Sequence, residues 1–397
     1  IRDKSVSLGL GDVYKRQGFT VVGETTKKIS FPNPDEKMVY FDIEVLPGVR
    51  ATNIEVIAAG NGAKSSYNTP IKIVNPNPVT TEVTSVVFEP NSEKSIDVAS
   101  FGIADSNKVV LEFSSIPPMN FESRLQYLIQ YPHGCVEQTT SSVFPQLFVG
   151  DIFDLSSDQK HRVQKNVETA IDKIKRYIRP DGGLSYWPGA TNANDWGTTY
   201  AGHFLLEASK KGYVLPIGFK NNWVRYQQRV ARQWRRGGND LAQAYRLYTL
   251  ALAGRPDLAS MNRLRETKNI SYNAGIRLIA AYALIGQKVI AEDLLKEVKK
   301  PKEEKEKNNR YTYGSKYRNK AMVLETKMIL QDKIGAKEIA DQLAQALSAD
   351  EWMSTQTTAY VLQAMSKYVL FVGGKGVKAQ YVLNGISNSI SSSKTMM

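Results

Sequence analysis

Hydrophobic and polar residues alternate along the first part of the chain, from about residue 18 to residue 115. An alternation of period two predicts strands with one buried face, and the interruptions are rich in turn-forming Gly, Pro, Asn and Ser. The pattern predicts an antiparallel β-sandwich, or parts of two β-domains joined at Asn75-Pro76-Asn77-Pro78. The strand-like runs are KMVYFDIEVLP, ATNIEVIAAG, YNTPIKIVNP, TTEVTSVVFEP and NKVVLEFSS, interrupted by PNPDE, GNGAKSS, NPNP and NSEKS.

The hydrophobic period becomes that of a helix after Pro117 and Pro118, and Asn120 is a predicted N-cap. Successive helices with short connections predict antiparallel hairpins, which suggest an α/α toroid in which an inner and an outer ring bury each other. Helices are predicted at residues 121–130, 135–149, 158–178, 195–211, 217–236, 238–254, 257–267, 271–285, 288–300, 319–333, 335–348 and 354–370.

Two further patterns concern the helical part. A short internal sequence repeat, here called the internal echo, is consistent with a repeated helical hairpin. After Gly373 and Gly374 the run VKAQYVLNGISNSI is strand-like again, so the helical domain is interpreted as an insertion into a β-domain whose return strands are only partly present. The echo consists of Trp196, Thr199, Leu206 and Ala208, which recur at the same spacing as Trp352, Thr355, Leu362 and Ala364.

The first seventeen residues, IRDKSVSLGLGDVYKRQ, have no clear helical or strand periodicity, and the pattern changes abruptly where they meet GFTVVGE. We interpret them as a non-native segment, such as a read-through or cloning scar, with an irregular native linker as the alternative. They are therefore left out of the fold prediction.

Length and composition limit the class of protein. A chain of 397 residues is too long for one core, and 42% hydrophobic residues are enough to bury two or three. A run of about 18 apolar residues is absent, so no membrane-spanning segment is predicted. The single cysteine rules out an intrachain disulfide and a cysteine-cluster metal site.

The net charge of +13 lies partly in WVRYQQRVARQWRR and partly in KEVKKPKEEKEKNNRYTYGSKYRNK. The second run mixes both signs of charge, which predicts a solvated helix end and loop. A nucleic-acid surface would be more purely basic and would include stacking aromatic side chains. We therefore expect no nucleic-acid partner.

The only cysteine, Cys135, and Gln138 stand three positions apart in YPHGCVEQTTSSVFPQLF. Residues i and i+3 of a helix lie on the same face, so these two side chains can meet. Gly134 permits an unusual backbone entry, and the first helical turn favours a thiolate at Cys135. A thiolate held against the Gln138 carboxamide can expel ammonia and leave a thioester that joins the two side chains.

A thioester acylates more readily than the amide it replaces, because a thiolate is the better leaving group. Water would slowly hydrolyse the bond, so a dry site lined by aromatic side chains is predicted. The alternative for Cys135 is a small buried hydrophobic side chain, the usual state of a lone cysteine. The aromatic candidates for the lining are Tyr131, Phe144, Tyr186, Trp187 and Trp196.

The sequence GCVEQ resembles the G-C-x-E-Q thioester motif of the α2-macroglobulin and complement thioester family, and GCVEQTTSSVFPQL resembles its bacterial branch. The resemblance covers about residues 40–397. It includes FSSIPPMNFESRLQYLIQYPHGCVEQ, DGGLSYWPG and AYRLYTLALAG. The implied fold is multidomain, with a macroglobulin-like β-sandwich, part of a CUB-like β-domain, an α/α-toroid thioester domain and the start of a β return.

The resemblance also implies domain boundaries and site residues. Cys135 and Gln138 would be the thioester partners, Glu137 would complete the motif, and no cofactor or metal is expected beyond the internal thioester. The supporting candidates are Gly134, His133, Tyr131, Tyr186 and Trp187. The expected domains are an irregular or non-native segment at 1–17, a macroglobulin-like domain at 18–78, the first part of a CUB-like domain at 79–115, the toroid at 116–372 and the CUB-like return at 373–397.

In that family a protease cuts a bait region, the molecule rearranges, and the exposed thioester acylates a lysine amine of the protease. The chain would therefore be part of a single-use protease inhibitor and not a turnover enzyme, with target proteases as its partners. The bait region would lie upstream of this chain. The resemblance implies the bacterial periplasm or cell envelope, with a lipid anchor on a preceding part of the protein.

Some thioester proteins use a histidine from a distant helical hairpin, which shifts the reaction from amines to hydroxyls. The chain contains only His133, His161 and His203, and the corresponding region, about 245–265, contains none. We therefore expect a direct reaction with amines, in which His133 is a candidate to tune Cys135.

Two other classes of function remain open, an α/α-toroid enzyme and a structural adhesion module. For the enzyme, DGGLSYW resembles turns of terpene cyclases and protein prenyltransferases, although a D-x-D-D cluster is absent and a zinc site would have to recruit Cys135. A glycosidase would need two carboxylates, for which Asp181 and Asp195 are the candidates. In a structural adhesion module, the β-domain would bind and the toroid would be a spacer.

We favour a structural role for Asp181-Gly182-Gly183, as a loop between helical hairpins with aromatic side chains packed on the toroid end.

Overall fold

The structure is a computed structural model, and it divides the chain into two compact units, Ile1–Leu111 and Glu112–Met397. Each unit is described by itself. The structure describes residues 5–12, 18–33, 35–46, 50–74, 91–102, 132–152, 155–299, 312–349, 352–372 and 376–392, together with single positions between 80 and 113.

The first unit contains a four-stranded antiparallel sheet in the order β3-β1-β5-β6 and a two-stranded sheet formed by β2 and β4. Asn61 and Gly62, both with positive φ, join β5 to β6 in the tight turn that the GNG sequence predicts. The sandwich itself remains a prediction. The strands are β1 Ser5–Asp12, β2 Phe19–Val22, β3 Thr26–Ser30, β4 Asp42–Val45, β5 Arg50–Gly60 and β6 Ala63–Ile73.

One strand lies within the segment that we expected to be irregular. Residues Ser5–Asp12 form β1 and pair with β5, from Ser7 opposite Ala59 to Asp12 opposite Ile54. The prediction of irregular structure is therefore wrong for these residues. Their sequence SVSLGLGD does alternate, with apolar residues at every second position, but the glycines and serines weaken the signal. The strands predicted for 80–90 and 107–115 do not form at their described positions.

The second unit is mainly helical. The predicted helix at 121–130, its N-cap Asn120 and the joint at residues 75–78 lie outside the described residues. The other predicted helices form, with ends shifted by a few residues. They are α1 Val136–Val143, α2 Gln146–Ile152, α3 Ser157–Lys175, α4 Asp195–Lys210, α5 Phe219–Gln233, α6 Asp240–Leu252, α7 Leu258–Arg265, α8 Tyr272–Leu284, α9 Lys288–Glu297, α10 Lys316–Ile329, α11 Lys333–Ser348 and α12 Thr355–Val372.

Six of these helices close into a ring. Helix α1 contacts α4, and contacts then continue through α6, α8, α10 and α12 back to α1. Helices α3, α5, α9 and α11 pack outside this ring, each against one or two of its members. The inner helices are buried on nearly all sides, whereas α3 and α5 bury one face only. This arrangement agrees with the predicted α/α toroid.

The predicted helix at 135–149 is divided into α1 and α2. Its interruption falls at Phe144 and Pro145, which form a turn. A proline inside a helix lacks the N–H that would bond to the carbonyl four residues earlier, and its ring clashes with that carbonyl. The uninterrupted helix was therefore a wrong prediction, and the proline was the available signal.

Two strands follow the toroid within the same unit. Strands β7 Val377–Leu383 and β8 Ile386–Ser392 form a hairpin, turned by Asn384 and Gly385 with positive φ. The ring of Tyr381 on β7 lies 5.4 Å from that of Phe113. A segment before the toroid thus meets the hairpin after it, while the CUB-like assignment stays a prediction.

The internal echo is only partly reflected in the structure. Helices α4 and α12 both belong to the inner ring, and Leu206 and Leu362 are both buried. Trp196 is also buried, but Trp352 is 86% exposed. The two copies of the internal echo therefore both lie at inner helices, but their tryptophans are not packed in the same way.

A buried network of charged side chains joins the inner helices. Glu325 on α10 accepts hydrogen bonds from Arg277 on α8 and from the Tyr360 hydroxyl on α12, each at 2.7 Å. Lys367 on α12 reaches Glu325 and Glu207, each at 3.2 Å. Burial alone raises the pKa of Glu325, but Lys367 and Arg277 hold this pKa well below its ordinary value. The network fixes four inner helices in one arrangement.

We expect Glu325→Gln to destabilise the protein by about 3–5 kcal/mol, because the change leaves Arg277 buried without its counter-charge. Thermal or urea unfolding monitored by circular dichroism would measure the loss. Glu338→Gln on the exposed face of α11 is the matched control and should stay within about 0.5 kcal/mol of the parent. Equal stability of the two variants would show that the buried network contributes nothing.

We also expect stability to fall with acidification below about pH 6.5. Burial lowers the pKa of His203. In this pH range the unfolded chain therefore binds a proton at His203 that the folded protein does not bind, and acidification favours unfolding. Below about pH 4.3 the lowered pKa values of Glu207 and Glu325 act in the same direction. Between pH 7 and pH 5.5 the loss should be smaller in His203→Gln than in the exposed His161→Gln, as unfolding curves would show.

Candidate functional site

Cys135 is the N-cap residue of α1 and is 1% exposed. It therefore stands one position before the helix, at the edge of the first turn in which we predicted it. Its extended backbone, with φ −72° and ψ 175°, turns the chain into α1. The N-terminal end of a helix presents unpaired N–H groups and a positive dipole end, which favour a thiolate.

The Gln138 side chain folds back over the start of the helix. Its carboxamide oxygen accepts a hydrogen bond from the Cys135 backbone N–H at 3.1 Å, and the Cys135 side chain faces the Gln138 backbone N–H. This reciprocal arrangement is a capping box in which cysteine takes the position of the usual Ser or Thr. The Gln138 residue is exposed, whereas Cys135 is buried.

Gly134 makes this conformation possible. Its φ of +91° is strained for any residue with a side chain. A Cβ at this position would collide with the Gln138 Oε1 atom and would lie only 2.9 Å from the carboxamide carbon. The glycine of GCVEQ therefore leaves the space in which the Gln138 carboxamide lies.

The chain that leads into Cys135 is fixed by its neighbours. The Tyr177 hydroxyl donates to the Gly134 carbonyl at 2.6 Å, and the Lys173 ammonium donates to the carbonyl of the buried Pro132. The Val136 N–H donates to the Tyr186 carbonyl at 3.1 Å. Contacts from the end of α3 and from the loop that follows it thus position Cys135 before any reaction.

Glu137 points into the toroid and is 7% exposed. Burial raises the pKa of its carboxyl group, while a hydrogen bond from the Ser141 hydroxyl at 2.8 Å acts in the opposite direction. Ser141 also lies 3.2 Å from the Tyr200 hydroxyl. The glutamate of the motif is therefore connected to the core and not to the face where Gln138 is open.

Tyr186 lies against Cys135. The loop that contains it is fixed on α5, because a Cβ on Gly182 would strike the Asn222 carbonyl, and one on Gly183 would strike Tyr226. The neighbouring Cys135 side chain, together with partial burial, raises the pKa of the Tyr186 hydroxyl well above its ordinary value. Trp187 packs edge-on against Tyr186 at 5.6 Å and is 52% exposed.

A second tyrosine completes this group. The Tyr313 ring stacks on Tyr186 with centroids 6.3 Å apart and planes 8° apart. The preceding residue, Thr312, is buried, and its carbonyl accepts from the buried Arg318 guanidinium at 2.9 Å. Arg318 in turn stacks over Trp196 at 4.6 Å. We predicted a solvated loop here, which is wrong for Thr312 and Tyr313.

The other candidate residues are dispersed. Tyr131 lies outside the described residues, and His133 is exposed beside the motif. Phe144 packs in the toroid core against Tyr200, His203 and Phe204, and Trp196 packs there against Tyr245 and Arg318. His203 is fully buried and bonds the Tyr245 hydroxyl at 2.8 Å, while His161 is exposed on α3.

The sequence analysis did not find Tyr177, Lys173 and Tyr313. Tyr177 and Lys173 were assigned to an ordinary helix end, and Tyr313 lies in a run dominated by charges. The only local signal at Tyr313 is the following glycine, which often marks a turn. Its partner Tyr186 is 127 positions away, so no short-range pattern could connect them.

Comparisons with known proteins agree with the resemblance that the motif suggested. A family model described as "A-macroglobulin TED domain" matches residues 109–234. Alpha-2-macroglobulin of Escherichia coli strain K12 is 25% identical over 279 residues, which are 64% of this chain and 17% of that protein. Alpha-2-macroglobulin of Xylella fastidiosa strain Temecula1 is 25% identical over 286 residues, 66% of this chain and 17% of that protein.

Solved structures show the same fold. A Salmonella alpha-2-macroglobulin reacted with methylamine superimposes with a TM-score of 0.64 at 19% identity, covering 100% of this chain and 27% of that one. Native Escherichia coli alpha-2-macroglobulin from domain MG7 to the C-terminus gives a TM-score of 0.61 at 18% identity, covering 100% of this chain and 65% of that one. The resemblance to bacterial alpha-2-macroglobulins, around their TED domain, is confirmed.

In the part of the chain that the structure describes, every helix is too short or too polar to cross a bilayer.

Proposed function

We propose that Cys135 and Gln138 form an internal thioester, which acylates an amine of a target protein once per molecule. The observation that supports this most directly is the Gln138 carboxamide folded back onto the Cys135 N–H at 3.1 Å. The arrangement places a buried cysteine and an exposed glutamine at the same helix end. The enzyme and adhesion alternatives give no reason for this pairing.

Formation of the bond follows from the same contacts. The Cys135 thiolate attacks the Gln138 carboxamide carbon, the C–N bond breaks, and ammonia leaves with the proton of the thiol. The Cys135 N–H already donates to the oxygen on which negative charge develops, so it acts as a preformed oxyanion donor. The fixed approach through Pro132 and Gly134 keeps the two reacting groups together.

In amine attack the Cys135 sulfur changes from nucleophile to leaving group, while the Gln138 acyl carbon is again the atom attacked. The nitrogen attacks the Gln138 acyl carbon, the C–S bond breaks, and the products are an amide and the Cys135 thiol. We expect direct attack by amines because the buried His203 is held by Tyr245 inside the toroid. His133 is the one exposed histidine beside the motif and remains the candidate for tuning the sulfur.

In the whole protein, we infer, this site serves covalent protease inhibition, with lysine amines of the trapped protease as the nucleophiles. The structures titled as Escherichia coli alpha-2-macroglobulin activated by porcine elastase and by trypsin support a link to proteases in a similar protein. From the resemblance of the GCVEQ motif to its family, we further propose a periplasmic or cell-envelope location, with a lipid anchor on a preceding part of the protein. Covalent capture of a protease would occur once and without turnover.

Intact mass spectrometry tests the proposal on the purified chain before and after methylamine. We expect a starting mass that is short by one ammonia, followed by gain of one methylamine and the appearance of one free thiol. Thiol titration in denaturant counts that thiol, and Cys135 is the only cysteine that can supply it. A full starting mass with one free thiol and no methylamine adduct would contradict the proposal for this chain.

A further inference from the structure

We propose that an arginine-rich surface, formed by α5, the loop that follows it and the loop between α6 and α7, binds an anionic phospholipid membrane. This binding does not depend on the thioester. Residues 219–268 contain eleven basic and three acidic residues, which supply +8 of the net charge of +13. The exposed arginines of this segment, here called the arginine surface, are Arg225, Arg229, Arg232, Arg235, Arg236 and Arg255.

Helix geometry aligns the first three of these arginines. Arg225, Arg229 and Arg232 follow one another at intervals of four and three residues, so they lie along one face of α5. The buried residues of α5 lie on its other side, against the toroid. Arg235 and Arg236 are exposed directly after the helix end and extend the same run of positive charge.

Tertiary contacts add the loop between α6 and α7 to this surface. The Gln228 side-chain amide donates to the Arg255 carbonyl at 3.3 Å, and Arg232 Nε donates to the Asp257 carboxylate at 2.7 Å. The Arg263 guanidinium on α7 donates to the Arg232 carbonyl at 2.7 Å. The loop is therefore fixed beside the end of α5, and Arg255 joins the arginines of that helix.

Few carboxylates neutralise the arginine surface. Asp257 pairs with Arg232, and Asp181 lies 3.3 Å from Arg229. Most of the positive charge therefore faces solvent without a counter-charge. Within the residues that the structure describes, no carboxylate lies within 4.0 Å of the guanidinium groups of Arg225, Arg235, Arg236 and Arg255.

The chemistry of this surface fits lipid headgroups. Guanidinium groups bind phosphate oxygens through two parallel hydrogen bonds. Leu258 is 48% exposed and lines an open depression together with Arg232 and Arg263. Asp257 lines the same depression, but its side chain is only 4% exposed and already paired. An exposed apolar side chain between arginines suits shallow entry into the headgroup region of a bilayer.

The aromatic side chains of the segment argue against a nucleic-acid partner. Single-stranded nucleic acids stack their bases on exposed aromatic rings. Tyr226 is buried, and Trp234 is half-buried with its indole nitrogen shielded from solvent. Neither ring offers a free face beside the arginines. Charge and an exposed leucine without a stacking ring therefore favour the membrane.

Cosedimentation of the purified chain with vesicles tests the proposal. We expect binding to vesicles of equimolar phosphatidylglycerol and phosphatidylcholine at low ionic strength, and none to pure phosphatidylcholine. Added salt should release the chain, because it screens the attraction. The double variant Arg235→Glu/Arg236→Glu should bind at least about 30-fold more weakly, the factor expected for loss of two basic side chains near an anionic bilayer. Arg235→Lys/Arg236→Lys keeps the charge and should bind within about threefold of the parent.

The matched control is Arg162→Glu/Lys165→Glu, at exposed positions of α3. It changes the net charge by the same amount and should bind within about threefold of the parent, since salt screens charges far from the contact. Circular dichroism and methylamine incorporation should be unchanged in all three double variants, because none of these residues contacts Cys135 or Gln138.

Three outcomes would overturn the proposal. One is the absence of binding to the anionic vesicles at low ionic strength. Another is equal weakening by the α5 and α3 glutamate variants, because only net charge would then matter. The last is binding to polyglutamate-coated or DNA-coated beads without binding to vesicles, which would assign the arginine surface to an acidic macromolecule instead of a membrane.

Discussion

Replacement of Cys135 by serine, or of Gln138 by glutamate, is expected to abolish methylamine incorporation completely. Serine is too weak a nucleophile at this helix end to displace ammonia, and a glutamate has no ammonia to lose. Glutamate preserves the size of the side chain and the oxygen that accepts from the Cys135 N–H, so the capping box should survive. Intact mass before and after methylamine would show the unmodified mass at both times for either variant.

The chain contains a matched control for the glutamine change. Ser156 and Gln159 form a second capping box at the exposed start of α3, where Gln159 Oε1 accepts from the Ser156 N–H at 2.8 Å. Gln159→Glu makes the same chemical change in the same local structure, and it should leave the thioester and its rate unaffected. Methylamine uptake by Gln138→Glu would place the acyl group elsewhere and refute the assignment.

The second large effect is expected for Gly134→Ala. The added Cβ collides with the Gln138 carboxamide and must also adopt a φ of +91°. We expect the carboxamide to leave the Cys135 N–H, so that the fraction of chains with a thioester falls at least about tenfold, given the loss of the near-attack geometry. The number of methylamine molecules incorporated per chain measures that fraction.

Gly189→Ala separates the collision from the strain. Gly189 also has a positive φ, +79°, but no atom lies within 4 Å of a Cβ built there. Both variants should lose about 1–2 kcal/mol of unfolding free energy from the backbone strain alone. Only Gly134→Ala should lose the thioester. Equal methylamine uptake by the two variants would mean that the space above Gly134 is irrelevant to the reaction.

The local patterns of the sequence were sufficient where short-range geometry decides the outcome. Helical periodicity located the inner helices, Asn-Gly located the turn between β5 and β6, and the spacing of Cys135 and Gln138 placed the two side chains at one helix end. In each case the interacting residues are a few positions apart. The physical constraint is then the backbone period itself.

Tertiary packing determined the contacts between residues that are far apart in the sequence. Tyr313 meets Tyr186 only because the ring of helices closes, and Glu325 binds Arg277 and Lys367 for the same reason. β1 likewise forms in a weakly patterned segment because β3 and β5 supply its backbone partners. The sequence by itself thus determined most helices and the proximity of Cys135 and Gln138 at one helix end. The surroundings of that pair depended on contacts between distant residues, which no local period encodes.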